Sequence, residues 1–387
     1  MKTRAGQAKR LGSSIHPNKA MTTMAEMITR NQFWFYSASV ITFLVILSRL
    51  GNHVFGLPYA AINFGVWSTI CMLGVTLGYH RYFSHRSFQA SRPLKISLAI
   101  AALLSCQGTI AHWVARHHLH HRYADSALDP HSPFESNREG NCSNMATVRS
   151  FFWSHWVWQF KEKQPIDPSR NRRLVEIPTK TVGQHFQYAQ ELKADLKLRK
   201  LGVQPIHWYS KTISGEKTIS KLDRLYPVFV VVSIVLPIAL SSGIFLIERL
   251  ANMSSQLDET TLIESALSGF FWGFLVRLIA VQELTNSINS ISHLLGYRNK
   301  NNDINQIRIA KNTPILGILN FGEGFHSNHH DDPSKPNFSR RWHEIDLAYQ
   351  LLQFLCILRL AKIPTIKITQ QDISRIHSSQ ASAENGH

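Results

Sequence analysis

The chain has 387 residues, with 42 Lys and Arg against 25 Asp and Glu and a net charge of +17; 44 % of it is hydrophobic and 17 % charged. A soluble domain usually carries about 25 % charged residues, so the deficit points to a membrane, and the basic balance suits anionic lipid, phosphorylated thioesters or acidic redox partners. Long apolar runs leave no soluble basic domain for a nucleic-acid duplex, and four widely spaced cysteines argue against a disulfide framework or a cysteine-bound metal.

Residues 1–30 are polar and basic, with Lys2, Arg4, Lys9, Arg10, Lys19 and Arg30 against Glu26. They read as a disordered cytosolic lead without a removable signal peptide. Four stretches, about 33–50, 57–79, 226–247 and 262–284, each approach the ~20 residues that cross a hydrocarbon core. Between the second and third lies a long segment dense in Lys and Arg from Arg81 to Arg224. It contains a fifth apolar stretch, Leu94 to Ile110, and a helix-like run around Gln184 to Leu201. The connection between the later two spans holds Glu248, Asp258, Glu259 and Glu264 against Arg249, so the positive-inside rule places both termini and the long middle segment in the cytoplasm. Residues 346–363 fit an interfacial or cap-packing helix, and a polar tail covers 371–387.

Histidine is the anomalous residue, at 20 copies. His80 and His85 close the second span; His117, His120 and His121 lie in HHLHH; His293 follows Asn289 by four; His326, His329 and His330 lie in HSNHH. Positions i, i+3 and i+4 share a helix face, so each triplet is expected to project three imidazoles to one side. His80 and His85, about 7.5 Å apart along a helix, would reach a metal pair from its end or flank it. Nine neutral imidazoles exceed the four one zinc takes, and two metals are the natural reading, with iron, copper or zinc all suited to nitrogen. His118 faces away from its triplet and is expected not to ligate. All clusters reach one compartment only if there are four crossings, which requires Leu94 to Ile110 to lie in or under the interface.

With these residues in view the sequence resembles the membrane fatty acid desaturases, specifically the acyl-CoA (stearoyl-CoA, delta-9-type) branch. The resembling stretches are GYHRYFSHRSF (78–88), QGTIAHWVARHHLHHRYAD (107–125), LDPHSP (128–133), FFWSHW (151–156), NSISHLLGYR (289–298), GEGFHSNHH (322–330) and RWHEID (341–346). The resemblance implies an all-α integral-membrane fold, four transmembrane helices under a helical cytosolic cap (80–225 and 285–370) in one domain, 31–370. It implies two iron ions on nine ligands, His80, His85, His117, His120, His121, His293, His326, His329 and His330, with Asn289 approaching one iron through water. Asp125, Asp129 and His131 fall where residues supporting the ligands or orienting substrate would lie, and Trp113 resembles a residue lining the acyl tunnel; ordinary cap packing is its other reading.

The implied activity is oxygen-dependent desaturation of a fatty acyl chain carried on coenzyme A, acyl carrier protein or a glycerolipid. The chain shows no cytochrome b5 signature, no ferredoxin cysteine spacing and no G-x-G-x-x-G site, so a separate donor is expected: ferredoxin, rubredoxin, or cytochrome b5 with its reductase. Arg116 and His118 depart from the family pattern, as does the charged stretch 165–223, which reads as a solvated cap insertion or a donor-docking surface. A hydroxylase, ketolase or acetylenase on the same scaffold is the nearest rival. A non-catalytic metal-handling membrane protein is a more distant one, and its ligands belong near the membrane midplane.

Overall fold

The computed structural model describes residues 32–55, 60–125, 129, 131, 133, 144–159, 216–251, 259–298 and 310–364. The expected N-terminal lead, the run 184–201, most of the insertion 165–223 and the polar tail lie outside the described residues.

The described chain is helical apart from one two-stranded ribbon. Helix α1 is Gln32–Phe55; α2 starts at Ala60–Leu73 and continues through a π-wound segment, Gly74–Ser84. Helices α3 (Arg92–Leu104), α4 (Ile110–Tyr123) and α5 (Asn144–His155) follow, then α6 (Lys217–Arg224) and α7 (Tyr226–Ala251). The rod α8 passes from Glu259–Ser268 through a second π-wound stretch, Gly269–Val276, into Arg277–Leu294. Three short helices follow among the described residues: α9 (Pro314–Leu319), α10 (His326–Asp331) and α11 (Leu347–Ile357).

Among the described residues, three helices are long and apolar enough to cross a membrane: Ala60–Ser84, Tyr226–Ala251 and Leu262–Leu294. The first expected span is helical, but its described apolar stretch, Trp34–Leu47, falls short of the length a crossing needs. Apolar side chains point outward along these rods, including Trp34, Ile41, Val231, Val235 and Ile247. That distribution suits a hydrocarbon surround and not water.

The fifth apolar stretch is broken. Helix α3 has 13 residues and ends at Leu104, a rise of about 20 Å against the ~30 Å of a hydrocarbon core. The chain then reverses through Cys106 and Gly108, both at positive φ, into α4. Thr109 caps α4 by accepting from the His112 N–H at 3.2 Å, and the Asp223 carboxylate accepts from the Ile110 N–H at 2.5 Å. Helix α3 lies tight on α2 because a Cβ at Gly74 or Gly78 would strike the α3 backbone at Ala101 or Leu98.

Arg277, fully buried on α8, ties the bundle together. Its guanidinium donates to the carbonyls of Leu104 at 3.1 Å, Gly273 at 3.1 Å and Ser233 at 3.3 Å. It thereby satisfies a carbonyl that the end of α3 leaves open, as an intramembrane charge turned toward the bundle interior must. The C-terminal part returns to α2 through an antiparallel pair, β1 (Gln89–Ala90) with β2 (Ala361–Lys362), and Ala348 and Leu352 of α11 pack with Leu77, Phe88 and Leu98.

Candidate metal centre

The π winding of α2 positions the first histidine pair. In an α-helix, at about 100° per residue, position i+5 stands roughly 140° away from position i. Closing the turn at i→i+5 brings it almost above instead. The His85 N–H donates to the His80 carbonyl at 3.1 Å, an i→i+5 bond, and the two imidazole rings stand 4.9 Å apart. The pair therefore enters one cluster side by side, not from opposite flanks.

Nine histidines assemble into two groups. The first holds His80, His85, His117, His121 and His329; the second holds His120, His293, His326 and His330. Each H-x-x-H-H triplet is divided between them. On α4 the i, i+4 pair His117 and His121 joins the first group and His120 the second. On α10 the i, i+4 pair His326 and His330 joins the second and His329 the first. The triplets thus supply both groups, because each helix lies across the gap between them.

The ring nitrogens face one another. Nε2 to Nε2 distances are 2.9 Å for His80–His329, 2.7 Å for His85–His117 and 2.8 Å for His121–His329. In the second group they are 3.0 Å for His120–His330, 3.1 Å for His293–His326 and 3.0 Å for His326–His330. Carboxylates hold the far nitrogen of one imidazole after another: Glu323 on His80 Nδ1 at 2.5 Å, Asp129 on His120 Nδ1 at 2.9 Å and Asp125 on His293 Nδ1 at 2.8 Å. Each carboxylate faces Nδ1 and favours the neutral tautomer that carries its proton there, in which Nε2 is the atom with a lone pair for a metal.

These contacts are the test of fit to metal. A ring N–H can serve one contact, yet His329 Nε2 faces both His80 and His121, and His330 Nε2 faces both His120 and His326. Protons cannot satisfy every contact, whereas one cation among several lone pairs can. Two nitrogens each about 2.1 Å from one ion and at right angles lie about 3.0 Å apart, the separation these rings keep. An all-imidazole donor set suits iron, copper, nickel or zinc, and the first group has one ligand more than tetrahedral zinc takes.

The remaining expected residues fall around the centre. Asp129 also accepts from the backbone N–H of Asp125 at 3.0 Å and of His131 at 3.1 Å. The His131 ring lies 4.3 Å from His120; it belongs to neither group but forms a third cluster with His120 and Asp129. His118 turns away, its Nε2 3.0 Å from the Ser84 carbonyl. Asn289 borders a cavity lined by Met72, Val75, Trp113 and Ile288 together with His80 and His117 of the first group and His120 and His326 of the second. Trp113 stacks on Tyr79 at 5.2 Å and on His117 at 5.0 Å, so it both packs and lines the cavity.

Several supporting residues escape sequence reasoning. Glu323 binds Thr76 and Arg81 besides His80; its only signal is an acid three residues before His326. Glu283 gathers Tyr36, Trp156 and His155, and His155 reaches Ser290 at 2.7 Å, anchoring α1 and α5 to α8 beside Asn289.

Burial, and then neighbouring imidazoles, hold His85, His117, His121, His326, His329 and His330 well below the ordinary histidine value. Below about pH 6.5 the unfolded chain takes up protons that the folded cluster refuses, so the unfolded state gains as pH falls. Metal-free protein is expected to lose thermal stability progressively below about pH 6.5 and to hold it above. Metal-loaded protein resists to lower pH, because protons must displace the ion first. Melting curves of both forms across pH 5–8 check this; a pH-independent midpoint in the metal-free form contradicts it.

No family model matches the chain. It is 31 % identical, over 79 % of its length and 77 % of the relative's, to the hex-5-enoyl-[acyl-carrier protein] acetylenase of Moorena producens. It is 28 % identical to the sn-1 stearoyl-lipid 9-desaturase of Synechocystis sp., over 85 % of this chain and 78 % of the other. It is 27 % identical to acyl-CoA desaturase 1 of Tachysurus fulvidraco, over 75 % and 67 %.

Proposed function

This chain belongs to the membrane fatty acid desaturase family, and from that premise we propose that it is an oxygen-dependent fatty acyl desaturase, of delta-9 type, with two iron ions. The family makes it a membrane oxidoreductase, and the two histidine groups make it one that uses metal. The observation that carries the finer reading is the facing of Nε2 atoms in two adjacent histidine groups that both line one cavity.

We assign His80, His85, His117, His121 and His329 to one iron and His120, His293, His326 and His330 to the other, with Asn289 reaching one of the two through water. Asp125, Asp129 and Glu323 orient the ligands. When bound, the metal pair supplies the oxidant that an unactivated methylene pair requires. The chain's own part is placement and exclusion. Val75, Ile288, Met72 and Trp113 offer the acyl chain an apolar wall and keep water out, and the depth of entry decides which carbons stand beside the histidines. One turnover converts –CH2–CH2– and O2, with two electrons and two protons, into –CH=CH– and two waters. The electrons come from a separate carrier.

We infer four crossings by taking the whole 24-residue helix α1, Gln32–Phe55, as the fourth, and with that count the positive-inside rule puts both termini and both metal groups on the cytoplasmic side. His80 and His293 stand near the ends of their helices, away from the midplane where a metal transporter would hold its ligands. Segments 80–225 and 285–370 form the cap over the spans within one domain, 31–370.

Expression in a host that lacks its own desaturase, followed by mass spectrometry of total fatty acids, tests the reading. The expected product has lost two hydrogens at one internal position. The similarity to an acetylenase supports a second reading, in which an alkenyl chain loses two hydrogens to become an alkyne. Feeding saturated and terminally unsaturated acyl chains on each carrier separates the two, and addition of oxygen in place of hydrogen loss would mark a hydroxylase.

A further inference from the structure

We propose that the loop from Pro336 to Asp346 is the electron-entry face, where an acidic one-electron carrier protein docks over Trp342 and Arg341. This rests on the reading above, that electrons arrive from a separate protein.

Trp342 is 95 % exposed, the most exposed large apolar side chain among the described residues. Four positions earlier Phe338 is buried, its ring 4.5 Å from His329 and 5.6 Å from His80. Four residues span at most about 14 Å, so one short loop joins a surface indole to a ring in contact with two imidazoles of the first group. The loop is also bonded to the ligand helix. Asn328, between His326 and His329, donates to the Phe338 carbonyl and to Glu344, both at 2.8 Å, and Arg340 donates to the Asn328 carbonyl at 2.9 Å.

The charge of the face is set by which groups are already paired. Arg340 meets Asp331 at 2.8 Å and Lys335 meets Asp332 at 2.9 Å. Glu344 is buried and accepts from Tyr297 and Asn328, and from the backbone N–H groups of Arg340 and Arg341. Arg341 is exposed, and its guanidinium lies over the Tyr297 ring at 5.0 Å. What the face presents is an exposed indole and the guanidinium of its chain neighbour Arg341. A small contact of this kind, steered by charge, suits a transient electron-transfer encounter. The carrier loses one electron per encounter, the metal centre gains it, and two encounters supply one turnover. A lipid-facing role leaves the Phe338 contact with His329 and His80 unused, whereas an electron carrier needs such a path to the first group.

The test uses the full-length, iron-loaded chain as wild type, Trp342→Ala, Arg341→Glu, the milder Arg341→Gln, and the Trp342→Ala/Arg341→Glu double variant. Iron content verifies that each variant folds around its metal. Stopped-flow spectroscopy follows reduction of the centre by dithionite, by reduced [2Fe–2S] ferredoxin and by reduced cytochrome b5. In the double variant, carrier-driven reduction should fall at least about tenfold and lose most of its salt dependence, with dithionite reduction unchanged. Unchanged carrier-driven rates overturn the proposal. So does a wild type that dithionite reduces and neither carrier does. So does a double variant whose only defect is weaker binding to anionic phospholipid vesicles. Failure of the desaturase reading would look different: carriers reduce the wild type through this face, yet no unsaturated product forms.

Discussion

Replacing His329 with alanine is expected to bring product formation to background and to cut bound metal from two ions per chain to about one. The Nε2 of His329 faces both His80 and His121, so its loss opens the first group at the centre and not at an edge. The second group shares no ligand with the first and should keep its ion. Disturbing a residue that merely supports a ligand costs about 10–100-fold in metal affinity or activity, and loss of a ligand should exceed that. His118→Ala is the control. His118 belongs to neither group, and its loss should leave metal content intact and activity within a few-fold. Metal analysis with turnover assays reads both; a His329→Ala protein that retains two ions contradicts the partition.

Arg81→Met should have the largest effect on stability. The Arg81 side chain is fully buried, 3.0 Å from Asp346 and 3.6 Å from Glu323, and it donates to the Pro336 carbonyl at 2.8 Å. Its guanidinium also lies 4.0 Å over the Phe338 ring. Removing one partner from a buried ion pair typically costs about 3–5 kcal/mol, because the remaining charges stay buried without compensation. Here two carboxylates are left, one of which holds His80. Both the melting temperature and metal retention should drop. Arg81→Lys keeps the charge but cannot reach both carboxylates and Pro336 at once, so it should recover only part. Adding Asp346→Asn to Arg81→Met removes one stranded charge and should recover another part. Thermal melts of the detergent-solubilised protein, with metal content, check the series.

Arg81 also shows where sequence reasoning stops. Six of the nine histidines, those of the two H-x-x-H-H triplets, are legible because i, i+3 and i+4 share a helix face, a local rule written in adjacent residues. The long apolar runs are legible for a similar reason, since hydropathy over ~20 residues is a local sum. Helices over 226–251 and 262–294 follow from it, whereas the run 34–47 stays marginal by the same measure.

By itself the sequence determined the residue types, their helical spacing, the apolar rods and, through its motifs, the family. Only the tertiary structure decided how the histidines divide. The π winding that stacks His85 over His80 depends on how α2 packs, because α and π turns draw on the same residues and differ in which carbonyl each N–H finds. The exchange of His120 and His329 between groups follows from the way α4 and α10 straddle the centre. The Glu323–His80 contact joins residues 243 positions apart, and such pairings are set by how the chain closes on itself, which no local pattern encodes.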